Sequence, residues 1–359
     1  MFIFDAHLDL SMNAMDWNRD LTQSIDSLNA RESGQIDLPG RGNATVTFEE
    51  LRKGNIGMVI ATQIARYTAK DNPLPGWQSP QQAWAHTQGQ LAWYKEMEAC
   101  GELKQIKNLT NLHGHLDNWN DEQNSSKKPI GYILSLEGAD SLVDVSYVER
   151  AFAYGLRAIG PAHYGPGRYA YGTNAIGGLG PQGKELLKEM ERLQIILDAT
   201  HLCDISFWEA MDNFNGAVWA SHNLCRSLVN HNRQFDDAQI KVLIERGAVI
   251  GGALDAWMMV PNWIKGLSNA ADLNCSLNTL IDHFDHICQL AGNADHIALG
   301  TDLDGGFGTE QCPHDLTTIS DLNKLPDLLE KRGYSTEDIA KILHGNWIRF
   351  LNRAWANLD

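Results

Sequence analysis

The 359-residue sequence predicts an α/β fold of the (β/α)8 barrel kind, with inserted loops and extra helices. A short apolar, β-branched run ending in a polar residue recurs eight times, and segments with helical spacing lie between the runs. The length agrees, because a minimal barrel needs about 250 residues and leaves roughly a hundred for insertions. No repeat, low-complexity tract or linker divides the chain, so residues 1–359 are expected to form one domain.

In order, the predicted strands are residues 2–4, 56–64, 132–136, 156–159, 195–197, 217–220, 248–252 and 296–299. Helical spacing is plainest in residues 183–190 and 236–243, each with a start signal or a glycine nearby. The expected insertions are residues 67–79, 118–128 and the glycine-rich stretch 164–183. In such barrels the loops after the strands build the site, so the strand ends are where chemistry should be sought.

Six of the eight ends carry His, Asp or Glu. The first leads into Asp5-Ala6-His7-Leu8-Asp9, where the period of two in extended chain puts His7 and Asp9 on one face. Glu137 follows the third strand, His163 the fourth, His201 the fifth, His222 the sixth, and Asp302 and Asp304 the eighth. A lone histidine at a strand end is more often a hydrogen-bonded core or surface residue. The joint placement at successive ends is what selects a metal site.

Imidazole and carboxylate suit Zn²⁺, and four histidines with several carboxylates exceed the needs of one four-coordinate ion. A two-metal site is expected, with ions about 3.5–4 Å apart and a carboxylate shared between them. Glu137 is the natural bridge, alone at its strand end and followed by Gly138. Three residues admit blander readings. Arg233 can neutralise the nearby Asp236 and Asp237, and Asp302 and Asp304 can shape a turn. His283 and His286 share a helix face and are read as packed or solvated.

The chain carries 29 Lys and Arg against 45 Asp and Glu, a net charge of −16 with histidine neutral. That field disfavours nucleic acid and anionic membranes as partners and leaves cations and small molecules. No apolar run approaches the roughly 18 residues of a membrane span, no basic leader follows Met1, and six cysteines are scattered without a C-x-x-C pair. A cytoplasmic protein is expected.

These residues resemble the membrane (renal) dipeptidases and their bacterial relatives, binuclear zinc hydrolases with a barrel of the amidohydrolase type. The resemblance spans nearly the whole chain. Asp5-Ala6-His7-Leu8-Asp9-Leu10 is similar to the family's D-x-H-x-D-L, and Ser135-Leu136-Glu137-Gly138 to its segment with the bridging glutamate. Gly178-Leu179-Gly180-Pro181-Gln182-Gly183 resembles its glycine-rich turn into a helix, and Asp198-Ala199-Thr200-His201 its D-x-x-H. Ser221-His222 with Arg233, then Gly300-Thr301-Asp302-Leu303-Asp304-Gly305, complete the set in the family's order.

The resemblance implies that His7, Asp9 and Glu137 hold one zinc and Glu137, His201 and His222 the other. A bridging water, its pKa lowered toward roughly 7, would attack a peptide carbonyl. It further implies that His163 stabilises the oxyanion and Arg233 pairs with the substrate carboxylate. Asp302 would bind the free amino group and shuttle a proton to the leaving amine, with Asp304 in support. Two departures stand out. Arg233 is followed by Gln234 where many relatives have Asn, and Asp255 falls about where relatives carry a tyrosine that helps bind the substrate's C-terminal carboxylate. A carboxylate there would repel that group, so the preferred substrate is expected to have a basic or otherwise altered C-terminal residue.

The expected protein is therefore a binuclear zinc dipeptidase of small dipeptides, C-terminal D-residues allowed, with no organic cofactor and a homodimer open. Its rivals are an amidase on N-acyl amino acids or related amides, and a catalytically silent paralogue, which ought to have lost metal ligands. A barrel deaminase or phosphotriesterase-like hydrolase usually has His-x-His after the first strand, where this chain has His7 and Asp9, and the latter bridges its metals with a modified lysine rather than a residue such as Glu137.

Overall fold

Parallel neighbours cannot be joined by tight turns, so a parallel barrel alternates strands with crossovers, here mostly helical. The computed structural model describes residues 1–70, 72, 74–121 and 127–358. The described residues form nine strands: β1 (Ile3–Leu8), β2 (Ile56–Gln63), β3 (Leu103–Gln105), β4 (Ile130–Glu137), β5 (Leu156–Gly160), β6 (Ile196–Asp198), β7 (Val218–Trp219), β8 (Ile250–Gly252) and β9 (Ile297–Leu299). Eight of them run in the order β7-β6-β5-β4-β2-β1-β9-β8, all parallel. The two ends of this order meet through a parallel bridge between Ala220 and Ile250, where the Ala220 N–H donates to Val249 O at 3.0 Å. The result is the predicted barrel, nearly closed.

All eight predicted strands are present, with shifted limits. The first continues past Phe4 to Leu8, carrying Asp5 into the interior, where its carboxylate accepts from the Thr301 N–H at 2.9 Å and the Thr301 hydroxyl at 2.5 Å. A charged residue inside a strand reads as its end when its burial is not yet known. β3 was not predicted. Its three residues pair outside the ring with the start of β4, Leu103 opposite Ile130, and are too few to show a period.

The helix predicted at 183–190 lies within Gly180–Arg192, and that at 236–243 is Asp237–Glu245. Asp236 caps the latter by accepting from the Gln239 N–H at 2.9 Å, while the Gln239 side chain accepts from the Asp236 N–H at 3.0 Å. The insertion at 164–183 is a loop pinned by bridges Tyr164–Thr173 and Gly172–Leu202 before it enters its helix. Residues 71 and 73 of the insertion at 67–79, residues 122–126 of that at 118–128, and Asp359 lie outside the described residues. Among the described residues no helix is long and apolar enough to cross a membrane.

Two glycines decide how the barrel closes near its C-terminal end. A Cβ on Gly251 would stand 1.9 Å from the Ser221 carbonyl oxygen, and one on Gly300 only 1.7 Å from it. Only bare backbone lets these two strands crowd onto Ser221, and that approach sets the height of the next residue, His222.

Candidate metal centre

Strand ends raise the candidate residues into one cluster. His7 is the next-to-last residue of β1 with Asp9 just beyond the strand, Glu137 ends β4, His163 follows β5, His201 follows β6, His222 follows β7 and Asp302 follows β9. Glu137 Oε1 is the hub: His201 Nε2 stands at 3.2 Å, His222 Nε2 at 3.5 Å, His7 Nε2 at 3.6 Å and His163 Nε2 at 3.9 Å. Asp9 Oδ2 and Asp302 Oδ1 lie 3.9 and 3.7 Å from His7 Nε2. His201 and Asp302 adopt left-handed backbone, φ 67° and 59°, a conformation that Asp and His tolerate better than most residues and that is often found at functional sites.

Three overlapping triads have the compactness of metal-ligand sets: His7, Asp9 and Glu137; Glu137, His201 and His222; and His7, His222 and Asp302. The chemistry of the donors fits a pair of divalent cations. Among the described residues His7 Nε2 is buried with no hydrogen-bond partner, and the Nε2 atoms of His201 and His222 face each other at 3.2 Å. The ring nitrogens turned away from the cluster meet hydroxyls, His201 Nδ1 with Thr173 Oγ1 at 3.0 Å and His222 Nδ1 with Ser221 Oγ at 2.9 Å. A hydroxyl can accept from Nδ1–H, which leaves the Nε2 lone pair free for an ion.

Electrostatics point the same way. Burial pushes the Glu137 and Asp302 carboxyls up, and neighbouring Asp9 adds to both shifts. Burial opposes charge on His7 too, but Glu137, Asp9 and Asp302 outweigh it and raise its pKa. Burial and the surrounding positive groups push His201 and His222 well down. Without a cation the cluster must hold protons to relieve its own repulsion.

Arg233 and Asp255 line a cavity of about 50 Å³ together with Glu137, His163 and Asp302. Arg233 is buried rather than on the surface beside Asp236 and Asp237. Its Nη2 donates to His222 O at 2.9 Å, while Nη1 has no hydrogen-bond partner among the described residues. Asp255 accepts from Trp257 Nε1 at 2.6 Å and Gln311 Nε2 at 2.8 Å, and burial pushes it up to about 7. Asp304 sits apart, gripping the Thr45 and Val46 N–H groups at 2.9 and 3.0 Å with Arg19 at 3.4 Å. His283 accepts from the Cys225 N–H at 3.1 Å, and His286 stands 2.8 Å from Asp237, as packed helix residues do.

Sequence reasoning missed the supporting residues. Thr62 in β2 hydrogen-bonds Asp9, Arg66 beyond it reaches His163, and Thr173 reaches His201. The one available hint was that β2 ends without a ligand of its own.

A parallel barrel with imidazole and carboxylate donors gathered at the C-terminal ends of its strands defines a metallohydrolase of the barrel type. The family model of the membrane dipeptidases, peptidase family M19, matches residues 1–357, and the chain belongs to that family. It is 27% identical over 237 residues to an uncharacterized protein of the pqqA 5′ region of Klebsiella pneumoniae, covering 64% of this chain and 83% of that one. It is 28% identical over 227 residues to dipeptidase tcpJ of Claviceps purpurea, covering 61% of this chain but only 50% of that relative. A Rhodobacter sphaeroides metallopeptidase liganded with a phosphinate mimic of L-Ala-D-Ala superimposes with a TM-score of 0.77 at 20% identity, covering 99% of both chains. That likeness shows a shared fold.

Proposed function

We propose that this chain is a binuclear zinc dipeptidase that hydrolyses the amide bond of small dipeptides, those with a C-terminal D-residue included. The observation that carries the reading is Arg233: a buried guanidinium with a spare donor, lining a cavity of about 50 Å³ together with the carboxylate and imidazole cluster. The planar fork of a guanidinium matches a carboxylate, and a dipeptide carries one at its C-terminal end. The dipeptide mimic on the Rhodobacter relative supports the same substrate class.

His7, Asp9 and Glu137 would hold one ion and Glu137, His201 and His222 the other. Two such ions supply Lewis acidity and activation of a shared water at neutral pH. Arg233 binds the substrate carboxylate and fixes which end enters. Asp302 receives the free amino group, takes the proton that the attacking water gives up and passes it to the leaving amine. His163 donates a hydrogen bond to the carbonyl oxygen as it gains charge. Asp255, fixed by Trp257 and Gln311, favours a basic side chain at the C-terminal position. Equal turnover of Xaa-D-Ala and Xaa-D-Lys, with an unchanged ratio in Asp255→Tyr, would remove that last role.

The six free cysteines support a reducing, cytoplasmic location, and size-exclusion chromatography checks for a homodimer. The central test is metal content by mass spectrometry together with a screen of L,L- and L,D-dipeptides for amine release. About two zinc per chain, with turnover abolished in Glu137→Ala, is expected. Two zinc with turnover of N-acyl amino acids alone would move the substrate to another amide. No zinc after reconstitution would overturn the site.

A further inference from the structure

We propose that Arg66 is a positioning residue that sets the tautomer of His163, so that this imidazole presents an Nε2–H to the substrate's carbonyl oxygen. The inference rests on the role given to His163 above. Arg66 Nη2 lies 2.9 Å from His163 Nδ1. A guanidinium has donors and no acceptor, so the only hydrogen bond this contact allows runs from Arg66 to a lone pair on Nδ1. A neutral ring with its lone pair on Nδ1 carries its hydrogen on Nε2. That nitrogen is the one turned toward Glu137 Oε1, at 3.9 Å.

The partner behind each ring thereby sorts the imidazoles by task. His201 and His222 have hydroxyls behind Nδ1, which can accept a hydrogen and free Nε2 as a ligand. His163 has a donor in that place, which makes its Nε2 a donor and unfits it as a ligand. Sequence does not set His163 and His201 apart, because Arg66 and Thr173 lie far from them along the chain, whereas Ser221 adjoins His222.

Arg66 is itself held in place. Its Nη1 donates to Pro75 O at 3.1 Å, and its carbonyl accepts from the Trp77 N–H at 2.8 Å. The insertion that begins at Tyr67 folds back through the Tyr67–Trp77 bridge and braces the arginine. Through Arg66 this loop thus bears on one of the cluster's hydrogen bonds.

The test is long-range ¹H–¹⁵N NMR of histidine-labelled, zinc-loaded protein, with the His163 signals assigned by their loss in His163→Asn. Wild-type protein should show His163 protonated at Nε2 and bare at Nδ1. Arg66→Met should give a mixture or the opposite tautomer, with zinc content unchanged, kcat down about 10- to 100-fold and KM within about threefold. Arg66→Lys, which keeps a cationic donor, should restore the wild-type tautomer and much of kcat. An Nδ1–H tautomer in wild type overturns the proposal without recourse to any variant, and so does an unchanged tautomer in folded Arg66→Met. A shifted tautomer with unchanged kcat upholds the assignment of Arg66 and instead removes His163 from the proposed reaction.

Discussion

A guanidinium buried without a matching anion is costly, and the protein accepts this at Arg233, where Nη1 has no partner among the described residues. The cost is recovered when a carboxylate arrives. Arg233→Met is therefore expected to raise KM for dipeptides by at least about 30-fold, the low end of a 2 to 5 kcal/mol loss, and to leave C-terminally amidated dipeptides nearly unaffected. Equal losses on both substrates would mean that the arginine serves the fold through His222 O alone. Asp255 gives a second residue-scale prediction. Burial holds its pKa near 7, so it is mostly neutral below that pH and negative above it. The preference for Xaa-D-Lys over Xaa-D-Ala, measured as a ratio of kcat/KM, should rise between about pH 6 and 8 in the wild type and stay flat in Asp255→Asn.

Among elements, β2 brings no proposed ligand but carries Thr62, whose hydroxyl orients Asp9. Thr62→Val keeps the shape and removes that bond, so zinc affinity, read by competition with a chelating dye, is expected to fall about 10- to 100-fold. An unchanged affinity would show that Asp9 needs no support. The strands were legible because buried parallel strands read as apolar runs, and the cluster was legible because a barrel concentrates chemistry where such runs end. Asp5 misled because a buried carboxylate, paired with Thr301 just beyond the neighbouring strand β9, looks in sequence like a strand terminus. Thr62, Arg66 and Thr173 stayed hidden because each acts across the fold, Arg66 on a histidine 97 residues away. Spacing reveals what one element can do, and these contacts belong to two.

For the whole molecule, the cluster ties cation binding to both protons and stability. With the carboxyl of Glu137 and the imidazole of His7 both raised, the cluster at neutral pH carries protons that a bound cation would displace. Zinc affinity should therefore climb as pH rises through the neutral range, and zinc added to lightly buffered apoprotein should acidify the solution. No proton release would contradict the charge state described. On the proposed reading the ions bind only the folded chain, so removing them with a chelator should lower Tm by several degrees, and restoring zinc should reverse the loss. The crowding of Gly251 and Gly300 onto the Ser221 carbonyl has a different kind of consequence. In a saturation library selected for turnover, both positions should prove as intolerant of change as the proposed ligands, although neither lines the cavity. Drift at either would have to wait for the other strands to part, so descendants of this chain inherit two glycines along with their chemistry.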